Sequence, residues 1–440
     1  MFLTEEELVN NTETKKFSQN VSSSYHLEDR NKNVPKLRFK EYNDEWKRVK
    51  TEEIFENISI KNNPLLPVLA VTQDKGVILR ESCGINIKYE NKSLKSYKIV
   101  KPGNFIISLR SFQGGLEYSE LEGIVSPAYT ILNNKQNISY DFFKYYFKTY
   151  NFIKSLNIAV EGIRDGKQIS YNSFKDIKIA FPSLPEQEKI ASFLTLIDKK
   201  IEKQKELVEL LKKYKRGLLS QIFSQNLRFK DNDGNDYPAW EEKTINNIFD
   251  TVTDFVAAGS FADLRKNVLY NEKPDFAQLV RTVDLKNNFK NKDFVFVNKS
   301  AYKYLWRVNL NEDALILPNI GANIGEVYYI YSFKLPYKNN VLGPNAILLK
   351  SSNNDLYYLY SGCLTDNFRK QLFLQVGASG QPKFNKTDFK KIKIKISINI
   401  DEQSKISKFL SKIDDKIQQE ECKLNNLQTH KHGLLQQMFI

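Results

Sequence analysis

Histidine and cysteine are scarce, with three of each in 440 residues. His26 stands in a polar N-terminal stretch, and His430 and His432 sit near the end of the last helical segment. With Cys422 they give three candidate ligands without a fourth and without a shared helical face, so a solvated helix accounts for them and no metal site is expected. Cys83, Cys363 and Cys422 are far apart and form no CxxC pair, which points to reduced thiols and a cytoplasmic setting. No apolar run reaches about 18 residues, so no membrane span is expected, and the acidic opening MFLTEEELVNN does not read as a signal peptide. Signatures of chemistry are missing as well. GIRDGKQ (162–168) has its glycines too close for a phosphate loop and a Gln where Ser or Thr belongs. NIGANIG suits a tight turn better than a cofactor cradle, no dinucleotide fingerprint follows a strand, and NNPLLP does not fit the Asn-Pro-Pro-aromatic motif of a methyltransferase. Acidic clusters such as Glu5–Glu7, Glu241–Glu242 and Asp414–Asp415 read as solvated surface. These absences describe a chain that binds and does not catalyse.

What is present is positive charge, aromatic side chains and a duplication. The formal net charge is +14 and aromatics are 12% of the residues, a balance suited to a phosphate-rich partner. EQEKIASFLTLIDKKIEKQKELVELLKKYKRGLLSQIF, opening at Glu186, recurs without a gap as EQSKISKFLSKIDDKIQQEECKLNNLQTHKHGLLQQMF, opening at Glu402. Seventeen of the 38 aligned positions are identical, which makes the two segments copies of one helix. The segments ahead of them also share an opening: LRFK, a turn-rich stretch, a Trp (Trp46, Trp240) and a short helix ending in Ile-Phe. They share a close too, GKQISYNSFKDIKIAFP and SGQPKFNKTDFKKIKIKIS.

Between opening and close, Tyr97–Phe112 and Asn309–Ile330 read as short strands broken by Pro and Gly turns. DFFKYYFKTYNFIKSL and DLYYLYSGCLTDNFRKQLF read as amphipathic helices. Lys391, Lys393 and Lys395 alternate with isoleucines, as in a strand with one wet face. The expected organisation is a polar, disordered or loosely attached tail (1–34), a first domain (35–181), a central helix (182–225), a second domain (226–397) and a C-terminal helix (398–440).

Each long helix carries a heptad seam. The first runs Ile190, Leu194, Ile197, Ile201, Gln204, Val208, Leu211, Lys215, Leu218 and Ile222; the second runs Ile406, Leu410, Ile413, Ile417, Glu420, Leu424, Leu427, Lys431, Leu434 and Met438. Both are polar at the same two steps, Gln204/Glu420 and Lys215/Lys431, a device that can fix register and partner. Pairing of the two helices explains a shared seam; a single amphipathic helix packed on each neighbouring domain is the alternative.

The LRF…W opening, LPEQEKIASFLTLIDKKI, KRGLLSQIF and their second copies resemble the DNA-specificity subunit of type I restriction–modification systems, over nearly everything after residue 35. ISLRSFQGGLEYSELEGIVSPAYTIL and LPNIGANIGEVYYI are similar to stretches of that family's target-recognition domains. The resemblance implies an α+β chain with two tandem target-recognition domains of mixed α and β structure, joined by two long helices in an antiparallel, pseudo-twofold coiled coil. It implies that each domain reads half of a split target on double-stranded DNA, with the helices as the ruler between them. Its partners would be two methyltransferase subunits and two restriction (motor) subunits. S-adenosylmethionine, ATP and Mg2+ would be bound there and not by this chain. SINIDEQ lacks the prolines of FPSLPEQ, and the tail carries none of the family's motifs.

Base reading calls for Arg, Asn, Gln or Lys on loops. In the first domain Arg110 and Gln113, on SLRSFQGG, and Lys167 and Gln168 are the candidates. In the second they are Asn319 and Asn323, around Gly321, with Gln381 and Lys383 after Gly380. Ordinary loop hydrogen bonding accounts for any one of these equally well. Lys391, Lys393 and Lys395 are candidates for phosphate contact. Two rival readings are a coiled-coil adaptor without DNA, which leaves the paired domains unexplained, and a self-contained DNA-modifying enzyme, which needs the motifs found missing.

Overall fold

A computed structural model describes residues 21–23, 33–73, 75–83, 91–160, 169–377 and 382–440. The fold is α+β, in two compact units: 1–205 with 422–440, and 206–421. Two long helices, α1 (Leu184–Phe223) and α2 (Ile400–Gln437), each contribute one half to each unit.

In the first unit a four-stranded antiparallel sheet places Phe55–Ile58, Thr130–Asn134, Phe105–Ile107 and Glu117–Tyr118 side by side in that order. A separate ribbon pairs Lys47–Lys50 with Lys178–Phe181, so the opening and the close of the domain are hydrogen-bonded to each other. The second unit repeats this plan. Its four strands run Thr251–Asp254, Ala346–Lys350, Ala314–Pro318 and Tyr328–Ile330, and its ribbon pairs Glu241–Thr244 with Lys393–Ile396. Outside these sheets the units differ. The first adds two antiparallel pairs, Leu69–Thr72 with Gly76–Leu79 and Lys98–Val100 with Gly123–Val125. The second adds a three-stranded sheet of Val295–Val297, Ala277–Val280 and Asn340–Leu342, the last pair parallel.

Three expectations change. Val21–Ser23, inside the stretch 1–34 taken as a loose tail, form a strand antiparallel to Leu37–Phe39; the rest of that stretch up to residue 32 lies outside the described residues. Each aromatic helix is two helices, Tyr140–Tyr146 and Tyr150–Val160 in one unit, Leu356–Cys363 and Asp366–Leu374 in the other. A threonine makes the break: Thr365 Oγ1 accepts the Phe368 N–H at 3.3 Å and Thr149 Oγ1 accepts that of Phe152 at 3.4 Å, each starting a new helix. Finally, Lys391 is not on the strand with Lys393 and Lys395. Asn385 caps a helix, its side chain accepting the Asp388 N–H at 2.7 Å, and that helix carries on to Lys391. Lys393 and Lys395 do stand exposed between buried Ile394 and Ile396.

The first unit's core is aromatic: Phe55, Phe105, Phe142, Phe143 and Phe147 are almost fully buried together with Trp46. The last turn of the chain completes it, with Phe439 5.2 Å from Phe142, 5.9 Å from Tyr146 and 6.3 Å from Trp46, ring to ring. In the second unit Phe223, at the end of α1, has the same role, 5.7 Å from Trp240 and 5.4 Å from Tyr358.

Within each unit the two helix halves run antiparallel. In the first, Ile190, Leu194 and Ile197 share one core with Leu434 and Met438, while Ile201, Gln204, Leu424, Leu427 and Lys431 are half-buried. In the second, Val208, Ile222, Ile406, Leu410, Ile417 and Glu420 are buried and Leu211, Lys215, Leu218 and Ile413 half-buried. The polar steps are paired. Lys215 bonds Asp414 at 2.5 Å and Lys431 bonds Asp198 at 2.5 Å, equivalent pairs of the two copies. Glu420 is bonded by Lys416 one turn before it, at 3.1 Å.

Candidate nucleic-acid interface

The recurring motifs converge on one buried carboxylate per unit. Glu186 accepts two hydrogen bonds from the Arg38 guanidinium, both at 2.7 Å, and one from Trp46 Nε1 at 3.4 Å. Glu402 accepts from Arg228 at 3.1 Å, Trp240 Nε1 at 3.0 Å and Ser397 Oγ at 2.6 Å. The next residue holds the neighbouring helix: Gln187 Oε1 accepts the Ser139 N–H at 3.0 Å, and Gln403 Oε1 accepts that of Asp355 at 2.8 Å. LRF, Trp and Glu-Gln therefore form a joint between the opening of a domain and the helix that leaves it. Sequence reading noted all three motifs but not that they touch; their joint recurrence was the signal.

Two buried phenols brace the same joint. Tyr146 Oη accepts the Ala180 N–H at 3.2 Å, and Tyr358 Oη accepts that of Ser397 at 2.8 Å. Burial pushes the Tyr146 phenol up to about 12 and raises that of Tyr358 as well. Cys363 is an inert core thiol, pushed up to about 12 by burial.

On this frame the loop after the third strand occupies the same position in both units. In the first it runs from Ser108 to Leu116, with Arg110 and Gln113 exposed. Gly115 pins it: at φ 78° a Cβ there would stand 1.8 Å from the Phe147 carbonyl oxygen, so only glycine allows this approach. In the second it runs from Asn319 to Val327, where Gly325 (φ 94°) faces the Phe373 ring. The segments that carry Asn319 and Lys383 pair through their backbones: Gly321 N donates to Pro382 O at 2.9 Å and Phe384 N to Asn319 O at 3.1 Å. Asn323 Oδ1 accepts from Lys286 Nζ at 2.8 Å. Lys167, Gln168 and Gln381 lie outside the described residues. Of the proposed phosphate lysines, Lys391 is held by Asp388 at 3.0 Å and Lys393 by Glu242 at 3.6 Å, while Lys395 is exposed.

Beside the Arg110 loop lies a basic and aromatic cluster that sequence reading missed. Arg80 stands 6.0 Å from the centre of the Tyr97 ring, and Lys98 Nζ donates to the Tyr129 carbonyl at 2.5 Å. Burial and then Lys61 hold the Lys98 ammonium below its usual range. The Tyr129 phenol, raised by burial, feels Arg80 and Arg110 in the opposite sense. These residues are scattered along the chain, and only the sheet pairing gathers them.

A family model described as the type I restriction modification DNA specificity domain matches residues 43–212 and again residues 221–429. The chain belongs to that family. Each match takes in a globular segment and most of the helix that follows it, so the chain carries two tandem specificity domains. The chain is 24% identical over 302 residues to the type I restriction enzyme MjaIX specificity subunit of Methanocaldococcus jannaschii, covering 65% of each chain. It is 24% identical over 344 residues to the MjaVIII specificity subunit of the same organism, covering 76% of each. The chain thus spans 65% of the length of the first relative. The fold is shared with a chain from a solved structure on complex assembly and conformational transition of the type I R-M system, at a TM-score of 0.54 and 15% identity over 90% of this chain and 97% of that one. Among the described residues no helix is long and apolar enough to cross a membrane.

Proposed function

We propose that this chain is the specificity subunit of a type I restriction–modification complex, with each unit reading half of a bipartite duplex target. The observation that carries the reading is the repeated sheet, which presents a glycine-pinned polar loop at the same place in both units. Arg110 and Gln113 in one loop, and Asn319, Asn323 and Lys383 in the other, have the donor and acceptor groups that read base edges. Lys98 and Arg80 beside the first loop, and Lys395 on the second unit's ribbon, serve the phosphates. Methyl transfer and cleavage belong to methyltransferase and restriction subunits in the cytoplasm, which bring the need for S-adenosylmethionine, ATP and Mg2+. The chain positions those subunits and has no turnover of its own.

The test is duplex binding by the full chain with its methyltransferase partner, on targets found by mapping methylation in the host. Arg110→Ala is expected to relax preference at one base pair by roughly 1–3 kcal/mol and leave the other half-site unchanged. Lys98→Ala is expected to weaken binding to all sequences and to lower the salt slope by about 1. A loss spread over both half-sites on Arg110→Ala would overturn the assignment of that loop.

A further inference from the structure

The second helix of each aromatic pair, Tyr150–Val160 in the first unit and Asp366–Leu374 in the second, is built on one pattern. Each follows a capping threonine, Thr149 or Thr365. Each buries a phenylalanine and a leucine one turn apart, Phe152 with Leu156 and Phe368 with Leu372. Capping and packing explain those repeats. A further repeat lies on the outside. Asn151, Lys154 and Ile158 recur at the same steps as Asn367, Lys370 and Leu374, all six exposed. Their spacing, i, i+3 and i+7, sets each trio along one face of its helix.

Neither unit supplies a partner for this outer stripe. Among the described residues no group bonds the Lys154 or Lys370 ammonium. Ile158 is 63% exposed and Leu374 80%; one such aliphatic in water is ordinary, but two at equivalent places call for a cover. Both helices are net positive, with Lys154 the one charged residue of Tyr150–Val160 and Arg369 and Lys370 set against Asp366 in the other. The stripes also adjoin the loops assigned to base reading. The short helix Ser111–Gly114 packs against Tyr150–Val160, and Phe373, next to Leu374, faces Gly325.

Those loops differ from unit to unit, Arg110 and Gln113 in one against Asn319 and Asn323 in the other, as two different half-sites require. What is alike in both units should meet what is alike at both half-sites, and in duplex DNA that is the sugar–phosphate backbone. An ammonium and an amide suit phosphate oxygens, and an aliphatic side chain suits the C–H face of a deoxyribose. We infer that each unit grips the duplex backbone with this stripe, independently of sequence. The inference rests on the proposed function, to which it adds a second DNA contact in each unit.

The test uses the full chain with its methyltransferase partner and two duplexes, the mapped target and an unrelated sequence of equal length, titrated over a range of salt. Lys154→Ala, and separately Lys370→Ala, should weaken binding to both duplexes by the same factor, roughly five- to tenfold at about 0.1 M salt, and flatten the salt slope by about 0.9. The double variant should lose about twice that slope, with base preference unchanged in both half-sites. Ile158→Ala and Leu374→Ala, which keep helix propensity at exposed positions, should weaken binding to both duplexes roughly threefold at an unchanged slope. A structural role would not move the slope. Sedimentation of the chain with its methyltransferase partner, without DNA, tests the other occupant. Loss of assembly in Lys154→Ala and Ile158→Ala, with the salt slope of the unaltered chain, would assign the stripes to a protein and overturn the inference. So would a loss confined to the mapped target, which would make the stripe a base reader. If the unaltered chain binds no duplex, the proposed function falls and takes the inference with it; if it binds and the variants keep its affinity and slope, the inference fails alone.

Discussion

The residue on which most depends is Glu186, together with its counterpart Glu402. A carboxylate this enclosed is tolerable because a guanidinium and an indole N–H satisfy it. Glu186→Gln keeps the shape but strands the Arg38 charge, and should cost about 3–5 kcal/mol. Hydrogen exchange should speed up in the first unit and leave amides of 206–421 unchanged. Tyr146 supplies a pH test. Its phenol is raised in the folded state to about 12, so its contribution is complete below the unfolded value near 10 and is lost as pH rises towards 12. The stability difference between wild type and Tyr146→Phe should therefore narrow by roughly 2–3 kcal/mol over that window, as read in urea unfolding at each pH. Both residues sit in motifs visible in the sequence as repeats. Their contacts were not visible, because Arg38 and Glu186 are 148 positions apart and only the ribbon between opening and close brings them together.

Among the elements, the long helices were the most legible and the small sheets the least. A seam of apolar residues at heptad spacing is local information, and so is a cap such as Asn385, although lysine–isoleucine alternation disguised the helix it starts. The strand pairs Lys98–Val100 with Gly123–Val125 and Ala277–Val280 with Asn340–Leu342 join distant segments. No repeat marks them, which is why the cluster around Lys98 and Tyr129 went unseen. The helix pairing itself makes a prediction. Lys215 and Asp414 face each other half-buried, with Tyr357 also donating to Asp414. Lys215→Asp alone should lower the melting temperature more than Lys215→Asp combined with Asp414→Lys. A double-mutant cycle should return a coupling of about 1 kcal/mol or more, cut short of full recovery because Tyr357 then meets an ammonium.

For the molecule as a whole, the decisive fact is that the first unit is not a continuous stretch of chain. The first unit needs residues 422–440, and Phe439 and Ile440 pack against a core that includes Leu37 and Phe39. A short linker from Ile440 to residue 35, with new termini opened at Gln225, should give a folded circular permutant. It should bind duplex like the parent chain. Failure to refold with a linker of ample length would count against the joint as described. The duplication in the sequence announced two modules; it did not announce that each borrows part of its core from the far end of a helix belonging to the other copy. That borrowing has a consequence for synthesis. A ribosome releases domains in order, and a domain with a self-sufficient core closes while the rest is still being made. Here the aromatic box around Trp46 and Phe142 waits, unplugged, through more than two hundred further codons until Phe439 emerges. A message broken before codon 422 therefore leaves the first unit without the side chains that close its core.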